Sequence, residues 1–181
     1  MTLTLLLGGV RSGKSARAVS MADALAVNHN QRVLFVATAG LYDDDMRARA
    51  ARHRAERPTG WTTLEETLDV PNALRARAGA YDVIVLDCLT LWVSNVLLSS
   101  DPPPDEGDIA ARTEHLVAAL SDEGVHCIVV SNEVGLGIVP PTPLGRVYRD
   151  ALGRANQVVA AAADRVVLMV AGLELPLKGA R

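Results

Sequence analysis

Short apolar runs separated by longer amphipathic stretches set the rhythm of this chain. Leu3–Leu7, Val33–Ala37, Val83–Asp87, Cys127–Ser131 and Arg165–Val170 are β-branched or Leu-rich and lack a polar/apolar alternation. That pattern predicts strands covered on both faces. The segment Trp61–Glu66 reads as a further strand. Helical stretches fall between these runs, at about 16–26, 43–57, 70–79, 89–98, 108–122 and 144–163. Strands alternating with helices predict an α/β fold, a mostly parallel sheet flanked by helices with right-handed crossovers. At 181 residues the expectation is a single domain spanning 1–181. Asp101-Pro102-Pro103-Pro104 is the plain linker, a solvated loop ahead of the helix expected near Asp108.

The first strand runs into Gly8-Gly9-Val10-Arg11-Ser12-Gly13-Lys14-Ser15, which fits G-x-x-x-x-G-K-[ST], the P-loop pattern. Placed between a strand and an Ala-rich helix, its backbone amides and the helix N-terminus form a nest for phosphate oxygens. Lys14 would reach the β- and γ-phosphates, and the Ser15 hydroxyl would take a place on Mg²⁺. Glycines at 8 and 13 allow turns and a close approach that a Cβ would block. The fold expected is therefore of the P-loop NTPase type, binding a nucleoside triphosphate.

Ligands of open α/β sheets gather at the carboxyl ends of the strands. Three further ends carry chemistry. The run Tyr81–Asp87 is apolar and ends in a carboxylate, so Asp87 is placed to hold Mg²⁺ opposite Ser15. The competing reading makes Asp87 the N-cap of the helix beginning near Leu89. A second end, Thr38-Ala39-Gly40, is small and polar. The third is Ser131-Asn132-Glu133, followed by the Gly-containing apolar stretch Val134–Pro140. As a mere turn that stretch is oddly apolar, and it reads as a shaped active-site loop.

Asp43-Asp44-Asp45 opens a predicted helix that continues with Arg47, Arg49, Arg52, Arg54 and Arg57. Acidic residues first and basic ones later suit the helix macrodipole, and a solvated surface helix accounts for that much. His53 adds a second reading. Arg49, His53 and Arg57 share one face at i, i+4, i+8 and would attract polyphosphate. Nearby positive charge disfavours the imidazolium, which leaves a neutral imidazole able to attack phosphorus.

Composition narrows the classes. A formal net charge of −3 argues against a general nucleic-acid binder. Two tryptophans, three tyrosines and one phenylalanine give little for base stacking. Cys88 and Cys127 lie in or beside apolar runs and read as small buried hydrophobes in a reducing compartment. No Cys/His spacing resembles a zinc site. The apolar runs are shorter than a membrane span and the N-terminus has no leader pattern, so a soluble cytoplasmic protein without membrane contact is expected.

Taken together, the motifs identify a resemblance. Gly8–Ser15 stands as G-G-x-R-S-G-K-S, and Asp43–Pro58 as D-D-[DE]-M-x-x-R-x-x-x-H-x-x-x-R-P. Trp61–Glu65 stands as W-x-T-x-E, and Asn132–Pro140 as N-E-V-G-x-G-I-V-P. Ala37-Thr38, Leu86–Thr90, Asn95, Arg149-Asp150, Gly153-Arg154 and Asn156-Gln157 complete the set. Over nearly its whole length the chain resembles the bifunctional adenosylcobinamide kinase/adenosylcobinamide-phosphate guanylyltransferases of cobalamin biosynthesis. The resemblance implies phosphorylation of the aminopropanol hydroxyl of adenosylcobinamide by ATP or GTP. Transfer of GMP from GTP to that phosphate would follow through a guanylylated histidine, at the position of His53. Some relatives carry two adjacent histidines, whereas here Arg52 precedes His53. Lys14 would be the other catalytic side chain. The P-loop, Thr38, Ala39, Gly40, Glu65, Asp87 and the Arg57-Pro58 segment with its neighbours Glu56 and Thr59 would hold the nucleotide. Asp87 stands where some relatives have Glu, keeping the charge with a shorter reach. The resemblance also implies a homotrimer with the nucleotide site near a subunit boundary. The loop Asn132–Pro140 is the candidate for cobinamide contact.

Two other readings of the site chemistry stand beside this one. In a plain P-loop small-molecule kinase, His53 would only bind phosphate. In a nucleotide-dependent switch, slow hydrolysis would occur without an acceptor, because P-loop folds host all three.

Overall fold

The computed structural model describes residues 2–29, 31–40, 57–121 and 124–179, for 27–29 the backbone only. In chain order the elements are β1 (Thr2–Gly8), α1 (Lys14–His29), β2 (Val33–Ala37), β3 (Thr62–Glu65), α2 (Val70–Arg75) and β4 (Val83–Asp87). They continue as α3 (Leu89–Leu97), α4 (Glu106–Leu120), β5 (His126–Val130), α5 (Pro143–Ala162), β6 (Arg165–Val170) and β7 (Leu173–Lys178). The strands form one seven-stranded sheet in the order β3-β2-β4-β5-β1-β6-β7. Neighbours from β3 to β6 pair in parallel, and β7 closes the edge antiparallel to β6.

Strand side chains alternate between two buried layers, as a period of two requires. Leu3, Leu5, Leu34, Val36, Leu86, Cys127 and Val129 face α2 to α5. Leu6, Val33, Phe35, Val83, Val85, Ile128 and Val130 face Ala18 and Ala22 of α1. Both layers are apolar, which is why the central strands read as unbroken runs rather than as alternations. Leu5, Leu6 and Leu86 are fully buried, and burial of each contributes about 1.5–3 kcal/mol.

The ends of the helices follow local chemistry. A capping box between Asp105 and Asp108 starts α4 at Glu106, two residues before the expected start. Thr142 caps α5 by accepting from the Gly145 amide at 3.1 Å, with Pro143 in the first turn. The helix expected over 70–79 stops at Arg75. The chain then tightens through i→i+3 bonds (Arg77 N–H to Leu74 O, Ala78 N–H to Arg75 O) towards Gly79 at φ 72°. Only Val70 and Leu74 anchor that helix in the core.

Strand β7 has no counterpart among the expected elements. Pro176 in its middle removes a ladder donor and reads against a strand, yet an edge position tolerates it. The helix expected over 43–57 lies outside the described residues, save that Arg57 itself occupies a bend. Among the described residues, no helix is long and apolar enough to cross a membrane.

Candidate active site

Parallel pairing brings the carboxyl ends of five strands to one rim. Ala37 of β2 is in register with Glu65 of β3 and Asp87 of β4. Asp87 is in register with Val130 of β5, and Val130 with Leu6 of β1, two residues before Gly8. The P-loop, Thr38, Glu65, Asp87 and Ser131–Glu133 thus share that rim.

The P-loop wraps around its own lysine. Lys14 Nζ donates to Gly8 O at 2.9 Å, to Gly9 O at 2.6 Å and to Ser12 Oγ at 3.4 Å. Burial holds the ammonium below the ordinary lysine range, while Cys88, where ionised, and the Asp87 carboxylate act in the opposite direction. Ser12 N–H closes the loop on Gly9 O at 3.3 Å, and Arg11 adopts φ 57°. Gly8, at φ 149°, cannot be replaced without collision: a Cβ there would fall on the Met169 carbonyl and lie 2.8 Å from Ser12 Oγ. Strand β6 and the turn into β7 therefore buttress the loop. Gly172 N–H donates to Ser12 O at 3.0 Å, and Arg17 of α1 pairs with Glu174 of β7, which Arg165 also holds at 2.8 Å.

Around Asp87 the backbone is cross-tied. The Asp87–Cys88 peptide bond is cis. Thr38 Oγ1 donates to Cys88 O at 2.7 Å and accepts from Cys88 N–H at 2.8 Å. Asn95 Nδ2 donates to the carbonyls of Thr38 (2.8 Å) and Thr67 (3.1 Å), locking β2 and the β3–α2 connection onto α3. The N-cap of α3 is Cys88, without a side-chain cap bond, and Asp87 stands one residue before it. The Cys88 thiol is pushed up to about 12, chiefly by burial and then by Asp87. At neutral pH it stays in the thiol form, the less nucleophilic one.

The third end is fixed by a polar relay. Asn132 N–H donates to Thr90 Oγ1 at 2.7 Å, and Asn156 Nδ2 donates to Asn132 O at 3.0 Å. Ser131 Oγ donates to Asn156 Oδ1 at 2.6 Å. Glu133 N–H reaches Gly8 O at 3.2 Å, so the β5 end is bonded directly to the first residue of the P-loop. Thr90, Ser131 and Asn156 are buried polar residues whose place here is to hold that connection. Tyr148, with its hydroxyl 3.5 Å from Thr90 O, is pushed up to about 12 by burial and then by Cys88.

Of the nucleotide-binding residues expected from the sequence, Gly8–Ser15, Thr38 and its neighbours Ala39 and Gly40, Glu65 and Asp87 come together on this rim. Arg57 lies two residues back from it, at the β2–β3 end. Its guanidinium covers the Phe35 ring at 3.9 Å and donates to Thr63 Oγ1 at 2.8 Å. Phe35 and Thr63 are a register pair two residues back from the rim. Pro58 is half-buried there and Thr59 exposed. His53 and Glu56 lie outside the described residues. Glu133 was expected only as part of the active-site loop, without a role of its own, and the relay residues Thr90 and Asn156 only as motif positions. Their signal was the position of Asn132-Glu133 directly after a buried strand.

Ser15, half-buried in the first turn of α1, and Asp87 supply the hydroxyl and carboxylate oxygens that suit a hard divalent cation. Among the described residues, no group of three or more His, Cys, Asp or Glu could hold a metal.

The family model of cobinamide kinase/cobinamide phosphate guanyltransferase matches residues 4–177. The chain belongs to this family. The bifunctional adenosylcobalamin biosynthesis protein CobP of Pseudomonas aeruginosa is 44% identical over 175 residues, covering 97% of this chain and 96% of its own. CobU of Escherichia coli, of the same description, is 37% identical over 185 residues, covering 97% and 99%. The fold also matches the flagellar accessory protein FlaH of Methanocaldococcus jannaschii. That match has a TM-score of 0.58 and 15% identity, covering 98% of this chain and 78% of FlaH. A KaiC-like protein of Pyrococcus horikoshii matches with a TM-score of 0.54 and 20% identity, covering 92% and 70%. The architecture is that of a P-loop NTPase, and the family's chemistry makes the chain a kinase and nucleotidyltransferase that uses guanine or adenine nucleotide.

Replacing Gly8 by Ala tests the loop geometry. Strain at that backbone angle costs about 1–3 kcal/mol, and the displaced loop should weaken GTP binding at least about tenfold, about 1.4 kcal/mol. Calorimetric titration with GTP checks it; unchanged affinity contradicts the buttressed loop.

Proposed function

We propose that this chain phosphorylates adenosylcobinamide with ATP or GTP and then transfers GMP from GTP to the product. The observation that carries the reading is the gathering of the P-loop, Thr38, Glu65 and Asp87 on one rim in a chain matched by the family over residues 4–177. The family match favours both reactions over a plain kinase.

In the first reaction the acceptor hydroxyl attacks the γ-phosphorus, and Lys14 with the loop amides stabilises the charge on the phosphate oxygens. Mg²⁺, held by Ser15 and Asp87, would neutralise phosphate charge. In the second, a ring nitrogen of His53 attacks the α-phosphorus of GTP. The α–β bridging P–O bond breaks and pyrophosphate departs, its charge supported by the P-loop. The phosphoramidate nitrogen, once protonated, leaves readily when an oxygen of adenosylcobinamide phosphate attacks. Glu65, Asp87 and residues 56–59 orient the guanine nucleotide. The apolar side chains of Leu136, Ile138 and Val139, 84%, 97% and 60% exposed on the loop that follows β5, offer a contact surface for cobinamide.

The working form is a homotrimer of the single-domain chain, acting in the cytoplasm. Its support, beyond the family, is the row Val170, Leu173, Leu175 and Leu177, all more than half exposed at the sheet edge. An uncovered apolar edge strand invites a partner. Sedimentation equilibrium should give the mass of three chains, and a stable monomer at micromolar concentration rejects the trimer.

Replacing His53 by Ala separates the two reactions. With adenosylcobinamide, ATP, GTP and Mg²⁺, the wild-type enzyme should yield adenosylcobinamide-GDP by chromatography. The variant should stop at the phosphate, its kinase rate within about threefold, since losing the nucleophile removes only the second step. Formation of the GDP product by the variant excludes His53 as the intermediate.

A further inference from the structure

We infer that Glu133 is the proton acceptor of the kinase reaction. This assignment rests on the proposed function, which makes the phosphoryl acceptor an alcohol. An alcohol must lose its proton as it attacks phosphorus, and a carboxylate next to the P-loop is the group suited to take it.

The strand order selects this carboxylate. Glu65 ends β3, four strands from β1, about 19 Å away at an interstrand spacing of about 4.8 Å. Asp87 ends β4, two strands away, and is the carboxylate assigned to the cation. Glu174 is taken up by Arg17 and Arg165. Glu133 follows β5, the strand adjacent to β1, and its own amide bonds Gly8 O at 3.2 Å. Its backbone is thus bonded to the first residue of the phosphate loop, which brings a carboxylate-bearing residue directly beside it.

Its side chain is also held in place. Glu133 Oε1 accepts from Gly135 N–H at 2.7 Å, and a Cβ at position 135 would lie 2.9 Å from that oxygen. Gly135 thus provides both the donor and the space. Thr90 and Asn156 fix the preceding residue, Asn132, from two sides. The exposed Leu136, Ile138 and Val139 follow within six residues, so an acceptor lying on that loop lies beside the Glu133 segment in the chain.

In the step, the acceptor oxygen forms a bond to the γ-phosphorus while its proton passes to a Glu133 oxygen. The bond from the γ-phosphorus to the β,γ-bridging oxygen breaks, and its electron pair stays on the nucleoside diphosphate. Glu133 then returns the proton to water. Guanylylation of His53 removes no proton from an alcohol and should not need Glu133.

That difference supplies the test. Glu133→Gln keeps an oxygen for the Gly135 amide and loses only the proton acceptor. Its kinase kcat should fall about 10²–10⁴-fold, with KM for nucleotide within about threefold. Labelling of the protein by GTP carrying ³²P at the α-phosphate should stay at the wild-type level, which also reports an intact fold. Gly135→Ala, which displaces the carboxylate, should lower kinase kcat by a smaller factor and likewise leave labelling intact. Kinase kcat within threefold of wild type in Glu133→Gln overturns the assignment. So does an equal loss of both reactions, the mark of a merely structural residue. A wild-type enzyme that labels but shows no kinase activity defeats the proposed function and this assignment together.

Discussion

A buried ammonium must be surrounded by oxygen, and in this protein that requirement shapes the loop on which everything else is hung. Lys14 is nearly out of water, and its charge is met by the carbonyls of Gly8 and Gly9 and the hydroxyl of Ser12. Curling those carbonyls inward demands a backbone conformation at Gly8 that leaves no room for a side chain, because β6 stands directly behind it. The loop is thus held by the sheet from behind and by its own lysine from within. Polyphosphate supplies the counter-charge that burial makes most welcome to this ammonium.

The sheet order converts this loop into a site. Placing β5 between the P-loop strand and β4 puts one strand's width between Gly8 and Asp87, and brings Asn132-Glu133 up between them. The polar side chains buried beneath the rim, Thr38, Thr90, Asn95, Ser131 and Asn156, each bond backbone or one another at the strand ends. Such fully connected networks are rigid, and rigidity at the strand ends is what phosphoryl transfer needs.

Much of this was legible before any coordinates. The unbroken apolar runs of β1, β2, β4, β5 and β6 announced strands covered on both faces, and the P-loop between β1 and α1 announced the ligand. Asp87 was read either as a cation ligand or as a cap, and the N-cap position of α3 falls to Cys88. Other features were hidden for physical reasons. β7 carries a proline and is stabilised by pairing with β6 and by the Arg17 and Arg165 contacts to Glu174, none of which leaves a local pattern. The early end of α2 reflects a short apolar anchor, which helix propensity over 70–79 does not register. Arg57 packs on Phe35 through the pairing of β2 with β3, a tertiary fact. The relay from Thr90 to Asn156 joins residues 66 positions apart through Asn132, beyond the reach of motif spacing.

On the function proposed, one P-loop site both grips GTP and passes its α-phosphate to a histidine of the same chain. Incubation of the pure protein with Mg²⁺ and GTP, labelled in parallel at the α- or γ-phosphate, followed by denaturing electrophoresis, tests it most directly. The account predicts α-label on the protein, acid-labile and alkali-stable, with γ-label released as pyrophosphate. Folded protein that binds GTP yet carries no α-label would contradict it and reduce the site to a phosphate-transferring one.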